Sequence, residues 1–304
     1  MNILVTGSNG FIGSHVVKWL KNKGCFVIGL DRTANSTSDT DEYVFCDLYT
    51  EDTGHIFEKI SVGKLDAIVH LAADMRKEPH TIEVIKNNCV GAQRLLELCR
   101  DKNIGVFVQL SSLPVIGSPS ELPITESHPL KPPTVYHCTK VMQELLANYA
   151  FYTYGVRTVS YRITAPVGPR MNPKTILPVF VQKALAGEDI VLLGKGTRRQ
   201  TYVHVTDIAQ AIYKAVISPN AQGVYNLASH NLISNKRLAE LCVELTGSSS
   251  RIVYSGQPDP ADDYNWEVSL DKLKRDTGYE SAVGIEEMIT ELKLYYSKSD
   301  LERT

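Results

Sequence analysis

The first thirteen residues constrain this chain more than any other stretch. Asn2-Ile3-Leu4-Val5-Thr6 is a short apolar run, and Gly7-Ser8-Asn9-Gly10-Phe11-Ile12-Gly13 follows at once. Ile12, Val16, Val17 and Leu20 then recur at helical spacing until the stop signal Lys23-Gly24. The pattern is strand, glycine-rich turn, helix. Glycines at 7, 10 and 13 allow a tight turn and let a helix N-terminus approach a pyrophosphate, whose charge suits the helix dipole. A plain βα turn would use the same glycines, so the flanks decide. Residues 25–30 form a second apolar run ending at Asp31, about 18 residues past Gly13. An acid there hydrogen-bonds an adenosine ribose diol and repels a 2'-phosphate, which predicts NAD rather than NADP; Arg32 acts against that preference.

The same alternation continues. Residues 33–41 read as a loop, 43–46 as a strand running into Asp47-Leu48, 51–61 as a helix, and 65–71 as a buried strand ending in Ala72-Ala73. A long helical pattern spans 81–102 and contains Asn88. Strand 106–110 delivers Ser111-Ser112, a helix carrying Tyr136 and Lys140 runs to about 154, and residues 157–162 are again a strand. Strands alternating with helices predict an α/β fold with a doubly wound parallel sheet of the Rossmann type. Ligands of such sheets bind at the carboxyl ends of the strands, where residues 7–13, Asp31, Ala72-Ala73 and Ser112 all fall.

The second half is less regular. A loop at 166–173 precedes an amphipathic helix at 175–187, and Gly194-Lys195-Gly196 is a turn between short strands. Thr206-Asp207 reads as an N-cap before a helix at 208–217, with a strand at 224–227 and helices near 234–246 and 285–297. The expected division is a dinucleotide-binding domain over 1–165 plus about 203–230. A mixed α/β substrate-binding lobe would take about 166–202 and 231–304.

Composition narrows the function classes. The formal net charge of -2, without a basic tract, argues against nucleic acid, and no apolar run reaches the roughly 18 residues that span a bilayer. The chain enters its first strand immediately, which leaves no room for a signal peptide and predicts a cytoplasmic protein. The six cysteines lack Cys-x-x-Cys spacing and histidine partners, so neither disulfides nor a metal site is expected.

Tyr136-His137-Cys138-Thr139-Lys140 carries the candidate chemistry. Tyrosine and lysine four apart share one helix face. An ammonium beside a phenol favours the phenolate, which predicts a lowered Tyr136 pKa and proton exchange with a hydroxyl near neutral pH. The spacing alone also arises on solvated helices, and Ser112 alone could be a polar strand end.

Taken together these residues resemble the extended short-chain dehydrogenase/reductases, in the NAD-dependent epimerase/dehydratase branch that acts on nucleotide sugars. Gly7, Asn9, Gly10, Phe11, Ile12 and Gly13 match the cofactor turn, and Asp31 the ribose-binding acid. Asp47-Leu48 is similar to the adenine-contacting pair, and Leu71-Ala72-Ala73 to the segment beneath the cofactor. Asn88 resembles the active-site asparagine, Ser112 the catalytic serine, and Tyr136 with Lys140 the active-site helix. Pro166 falls in a later landmark, Pro166-Val167-Gly168-Pro169. The resemblance implies that Tyr136 is the general acid/base, that Lys140 tunes it and holds the nicotinamide ribose, and that Ser112 hydrogen-bonds the reacting oxygen. It also implies a homodimer formed through a four-helix bundle from residues near 81–102 and 136–154.

Departures bear on the substrate. The dehydratases of this family carry an Asp-Glu pair after the serine, where this chain has Leu113-Pro114. The asparagine that grips a nucleotide diphosphate is replaced by Ala165, and the corresponding arginine aligns with Gln200, preceded by Arg198-Arg199. Met75, Arg76 and Lys77 follow a strand end and either line the substrate site or form a mobile loop. The resemblance thus implies an NAD-dependent epimerase of a sugar, foremost a nucleotide sugar inverted at C4. A dehydrogenase or keto-reductase with net redox turnover is the alternative, and a non-catalytic NAD-sensing protein a third.

Overall fold

The apolar runs gather into one parallel sheet in the computed structural model, which describes residues 1–51 and 53–301. β1 (Asn2–Thr6) leads through the glycine turn into α1 (Phe11–Asn22), then β2 (Phe26–Asp31), β3 (Glu42–Phe45) and β4 (Ala67–His70). α2 (Thr81–Ile85) passes through a π turn, Lys86–Val90, into α3 (Gly91–Asp101), followed by β5 (Val106–Ser112), α4 (Val135–Tyr154) and β6 (Arg157–Ile163). Beyond lie β7 (Ala165–Val167), α5 (Ile176–Ala186), β8 (Ile190–Leu192), β9 (Arg199–Gln200), β10 (Tyr202–His204), α6 (Val205–Ile217) and β11 (Gly223–Leu227). β12 (Ile233–Ser234), α7 (Asn235–Thr246), β13 (Ile252–Tyr254), α8 (Asp271–Thr277) and α9 (Ile285–Leu301) follow.

Seven strands pair in the order β3-β2-β1-β4-β5-β6-β11, and every pairing is parallel. Helices cover both faces, so these strands are apolar on both sides. On one face α1 and α6 lay Val16, Val17, Leu20, Ile208 and Ile212 against the sheet; on the other, Leu95, Leu96 and Cys99 of α3 meet Ile68 and Phe107. Each fully buried side chain of this kind contributes roughly 1.5–3 kcal/mol. A separate apolar cluster unites α5, α7 and α9 through Leu177, Phe180, Leu238 and Ile289. The strand order reverses between β1 and β4, which places a crevice above their carboxyl ends.

Three local expectations are corrected. The helix expected at 51–61, of which Asp52 lies outside the described residues, is only a 3-10 turn at Thr53–Ile56; Gly54 inside so short a run removes helical stability worth about 1 kcal/mol. The continuous helix expected at 81–102 is interrupted by the π turn, whose wider turn carries the buried Asn88. Thr206-Asp207 does not cap α6. His204 does, accepting from the Thr206 amide, while the buried Asp207 carboxylate accepts from the Ala282 and Val283 amides ahead of α9.

Candidate active site

Two adjoining cavities occupy the crevice. The first, about 370 Å³, lies over the ends of β1 to β4 and is lined by Gly7, Gly10, Asp31, Asp47, Ala72 and Asn88, among others. The second, about 940 Å³, opens beside the ends of β5 and β6 and holds Ser112, Tyr136 and Lys140. Leu71 and Ala73 line both.

Backbone sterics build the first cavity. Gly7 has φ +67, and a Cβ there would stand 2.7 Å from the Ala72 amide nitrogen. A Cβ on Gly13 would stand 2.0 Å from the Gly7 carbonyl oxygen. Neither position accepts a side chain while β1, α1 and the end of β4 stay this close. The Thr6 hydroxyl latches the same junction, meeting His70 Nδ1 at 2.8 Å and accepting from the Leu71 and Ala72 amides. Burial pushes the His70 imidazole down to about 3, so it stays neutral. α1 starts from Gly10 without a side-chain cap, which leaves its first amides and its dipole to an anion. Asp31 accepts from the Asn9 amide at 3.2 Å and the Thr33 amide at 3.3 Å. The Asn9 side chain is turned to the following loop, donating to Thr33 Oγ1 and the Asn35 carbonyl and accepting from the Thr37 amide.

Asn88 is a cross-brace. Its Oδ1 accepts from the Asp74 amide at 2.7 Å, and its Nδ2 donates to the Asp74 carbonyl and to Thr139 Oγ1, both at 2.9 Å. The π turn is thereby tied both to the segment after β4 and to α4. Asp74 is itself buried and grips Arg76: Arg76 Nε lies 3.0 Å from Oδ1, and Nη2 lies 2.6 Å from Oδ2. The Arg76 guanidinium, with further help from Asn87, holds the Asp74 carboxyl well below the usual carboxylate range.

The second cavity is made of side chains carried by α4 and by the strand ends. Thr134 caps α4 by accepting from the His137 amide. Tyr136 follows and faces the cavity, and its ring centroid lies 5.7 Å from Lys140 Nζ. The expectation that Lys140 lowers the tyrosine pKa is not met here. The Lys140 ammonium donates to the Leu110 carbonyl and Gln143 Oε1, both at 2.9 Å, and burial instead pushes the Tyr136 phenol up to about 12. Burial likewise brings Lys140 down to about 8. One turn on, Glu144 makes a buried pair with Arg162 of β6 (2.8 Å) and accepts from the Ser111 hydroxyl, locking α4 to β5 and β6.

The cavities gather most of the residues singled out in the sequence. Arg32 and Leu48 line the first; Ile12, Met75, Arg76, Lys77 and Pro166 line the second. Phe11 stacks edge-on with His15 and packs against the second apolar cluster, and Gly13 lies under the turn. Ala165, Arg199 and Gln200 line neither cavity; the Gln200 amide donates to the Tyr202 hydroxyl. Sequence reasoning missed Asp74 and Thr134. Asp74 directly follows Ala72-Ala73 at a strand end and Thr134 directly precedes a helical run, so both signals were present. Among the described residues no group of His, Cys, Asp and Glu gathers to hold a metal ion, and no helix is long and apolar enough to cross a membrane.

The fold and this pair of cavities define a dinucleotide-binding enzyme scaffold, and comparison with known proteins gives the family. The chain belongs to the NAD dependent epimerase/dehydratase family, whose family model matches residues 3–228. It is 28% identical to a dTDP-glucose 4,6-dehydratase of Streptomyces niveus, over 97% of this chain and 93% of that one. The UDP-glucose 4-epimerase of Thermotoga maritima, solved with UDP-glucose, superposes with TM-score 0.87 at 26% identity, covering 98% of this chain and 99% of that one. The Thermus thermophilus UDP-glucose 4-epimerase, solved with NAD, gives TM-score 0.81 at 26% identity, covering 98% and 99%.

Proposed function

We propose that this chain is an NAD-dependent epimerase of a nucleotide sugar, inverting a hydroxyl-bearing carbon, C4, through a keto intermediate. The observation that carries the reading is the joining of the two cavities. A strand-end cavity fit for a dinucleotide shares Leu71 and Ala73 with a cavity that holds Ser112, Tyr136 and Lys140.

The first cavity suits NAD on its own geometry. The Gly7 and Gly13 cradle has no room for side chains, α1 presents uncapped amides to a pyrophosphate, and the Asp31 carboxylate stands where it would accept from the hydroxyls of a ribose diol. Asp47 and Leu48 would flank the adenine. Bound there, NAD supplies the acceptor and later the donor of one hydride. Burial favours the protonated Tyr136 phenol; once deprotonated, its phenolate oxygen would take the proton of the substrate hydroxyl, and the phenol so formed would later return that proton to the keto oxygen. Ser112 would hydrogen-bond the same oxygen, and Lys140 would hold the nicotinamide ribose and offer positive charge to the phenol. Asn88 would position rather than react, since its side chain is committed to Asp74 and Thr139.

Epimerisation is favoured over dehydration by Leu113 and Pro114. They form the 3-10 turn after Ser112, with Leu113 packed beside Val115 and Ile116, and they provide no carboxyl group to eliminate water. Stoichiometry tests the reading. A catalytic amount of NAD should sustain many turnovers of a nucleotide sugar and be recovered oxidised. Consumption of one NAD(P)H per product would instead establish the keto-reductase.

A homodimer goes with this reading. Ile82 and Ile85 of α2 and Met142, Leu145 and Tyr149 of α4 expose apolar side chains, which suits a four-helix bundle with a second copy. Sedimentation should give a dimer, and Leu145→Glu a monomer. The same reading divides the chain into a dinucleotide domain, 1–165 with about 203–230, and a substrate lobe. It also carries a cytoplasmic location, which the free cysteines suit.

A further inference from the structure

We propose that Arg76 is a specificity residue for a carboxylate on the sugar, so that the substrate class is a nucleotide-linked uronic acid. This inference rests on the epimerase reading above. The cavity containing Tyr136 and Ser112 is lined by three cationic side chains, Arg76, Lys77 and Lys140, against one carboxylate, Glu78. Lys140 is buried and its ammonium is occupied by the Leu110 carbonyl and Gln143, so it does not offer itself to a second anion. Arg76 is different, because 43% of its side chain is exposed although it is firmly held.

The holding makes Arg76 part of a built site. Asp74 is 5% exposed, so its carboxylate has no role at the surface. That carboxylate is fixed by the Asn87 side chain at 2.8 Å and by the Arg76 amide at 3.1 Å, and it takes the guanidinium through Nε and Nη2. Asp74 faces the cofactor cavity and Arg76 the substrate cavity, so the pair spans the wall between them. A guanidinium has five N–H donors in one plane. Nε–H and one Nη2 hydrogen point to Asp74. No hydrogen bond to the described residues uses Nη1, which leaves its two hydrogens and the second Nη2 hydrogen as a fixed fork. Two parallel N–H donors in that plane match the two oxygens of a carboxylate, and the rotamer entropy that a free arginine would lose is already spent on Asp74. A neutral hydroxymethyl group would leave the fork to water. Leu113 and Pro114 after Ser112 add no negative charge to oppose such an anion.

The test is calorimetric binding to the NAD-loaded full chain, using matched pairs of ligands: UDP-glucose with UDP-glucuronate, and dTDP-glucose with dTDP-glucuronate. The uronate of at least one pair is expected to bind at least about tenfold tighter than its neutral partner. Arg76→Gln should reduce that ratio to near one, and Arg76→Lys should keep an intermediate ratio. Equal or weaker binding of the uronates, or no binding by any of the four, overturns the proposal. A loss in Arg76→Gln that is the same for both members of a pair also overturns it, because the fork would then be gripping the diphosphate. The epimerase reading fails separately: a uronate that binds with the expected preference but is not epimerised by the wild type would sink that reading and leave the specificity assignment standing.

Discussion

The two cavities are built on different principles. The proposed cofactor cavity has a floor of backbone, where Gly7 and Gly13 pack against main-chain atoms and α1 offers its first amides, with side chains such as Asp31 and Asp47 around it. The proposed substrate cavity is a matter of side chains brought from α4, the segment after β4 and the ends of β5 and β6. Its groups are held by buried polar networks such as Asn88 with Asp74, and Glu144 with Arg162. At Gly7 and Gly13 the first site has no room for an added atom. The second is adjustable, since one exchanged side chain changes what it accepts.

Substitutions should separate the two. Tyr136→Phe removes the proposed proton carrier and should lower turnover by about 10²–10⁴-fold, while NAD affinity measured by calorimetry stays near the wild-type value. Retained turnover would remove the chemistry from the side-chain cavity. Glu144→Ala leaves Arg162 as an uncompensated buried cation and should cost about 3–5 kcal/mol of stability in denaturant titration; a loss below about 1 kcal/mol would show that the pair is not what locks α4 to the sheet. Gly13→Ala, whose Cβ would meet the Gly7 carbonyl at 2.0 Å, should cost about 1–3 kcal/mol and weaken NAD more than it weakens the nucleotide sugar. The opposite order would contradict a backbone-built cofactor site. Asp31→Ser should narrow the preference for NAD over NADP by about tenfold, the scale of one lost charged hydrogen bond of about 1.5–3 kcal/mol.

A further effect is a pH dependence at the boundary of the two cavities. Burial brings Lys140 down to about 8 from its ordinary 10.5. Below about pH 8 both folded and unfolded chains carry the proton, and the cost of burying the cation is borne in full. Between there and about 10.5 only the unfolded chain holds that proton, so this group adds stability as pH rises through the window. The wild type should therefore gain stability relative to Lys140→Met on going from pH 8 to 10. A constant difference would mean that the ammonium is solvated.

The sequence carried the sheet because its signals are local. Apolar runs alternating with helical spacing, a glycine turn and an acid at a strand end each report on backbone geometry within a few residues. It carried the order of Ser112, Tyr136 and Lys140 for the same reason. It failed where a residue answers to a distant partner. The π turn is legible only once Asn88 is seen bonding Thr139, 51 residues away. The cap of α6 shifted to His204 because Asp207 is engaged by the segment before α9. The Tyr136 pKa moved up instead of down because the depth of burial, and the claims of Leu110 and Gln143 on Lys140, are properties of packing.

By itself, then, the chain determined a doubly wound sheet with a dinucleotide turn, since period, glycine sterics and strand-end position are written residue by residue. Only the tertiary structure decided which side chains face one cavity. It turned Asp74 from an unremarked strand-end residue into a buried carboxylate that aims Arg76, and it left Ala165, Arg199 and Gln200 outside. The physical reason is that desolvation and hydrogen-bond commitment depend on what surrounds a group in space, which spacing along the chain does not encode.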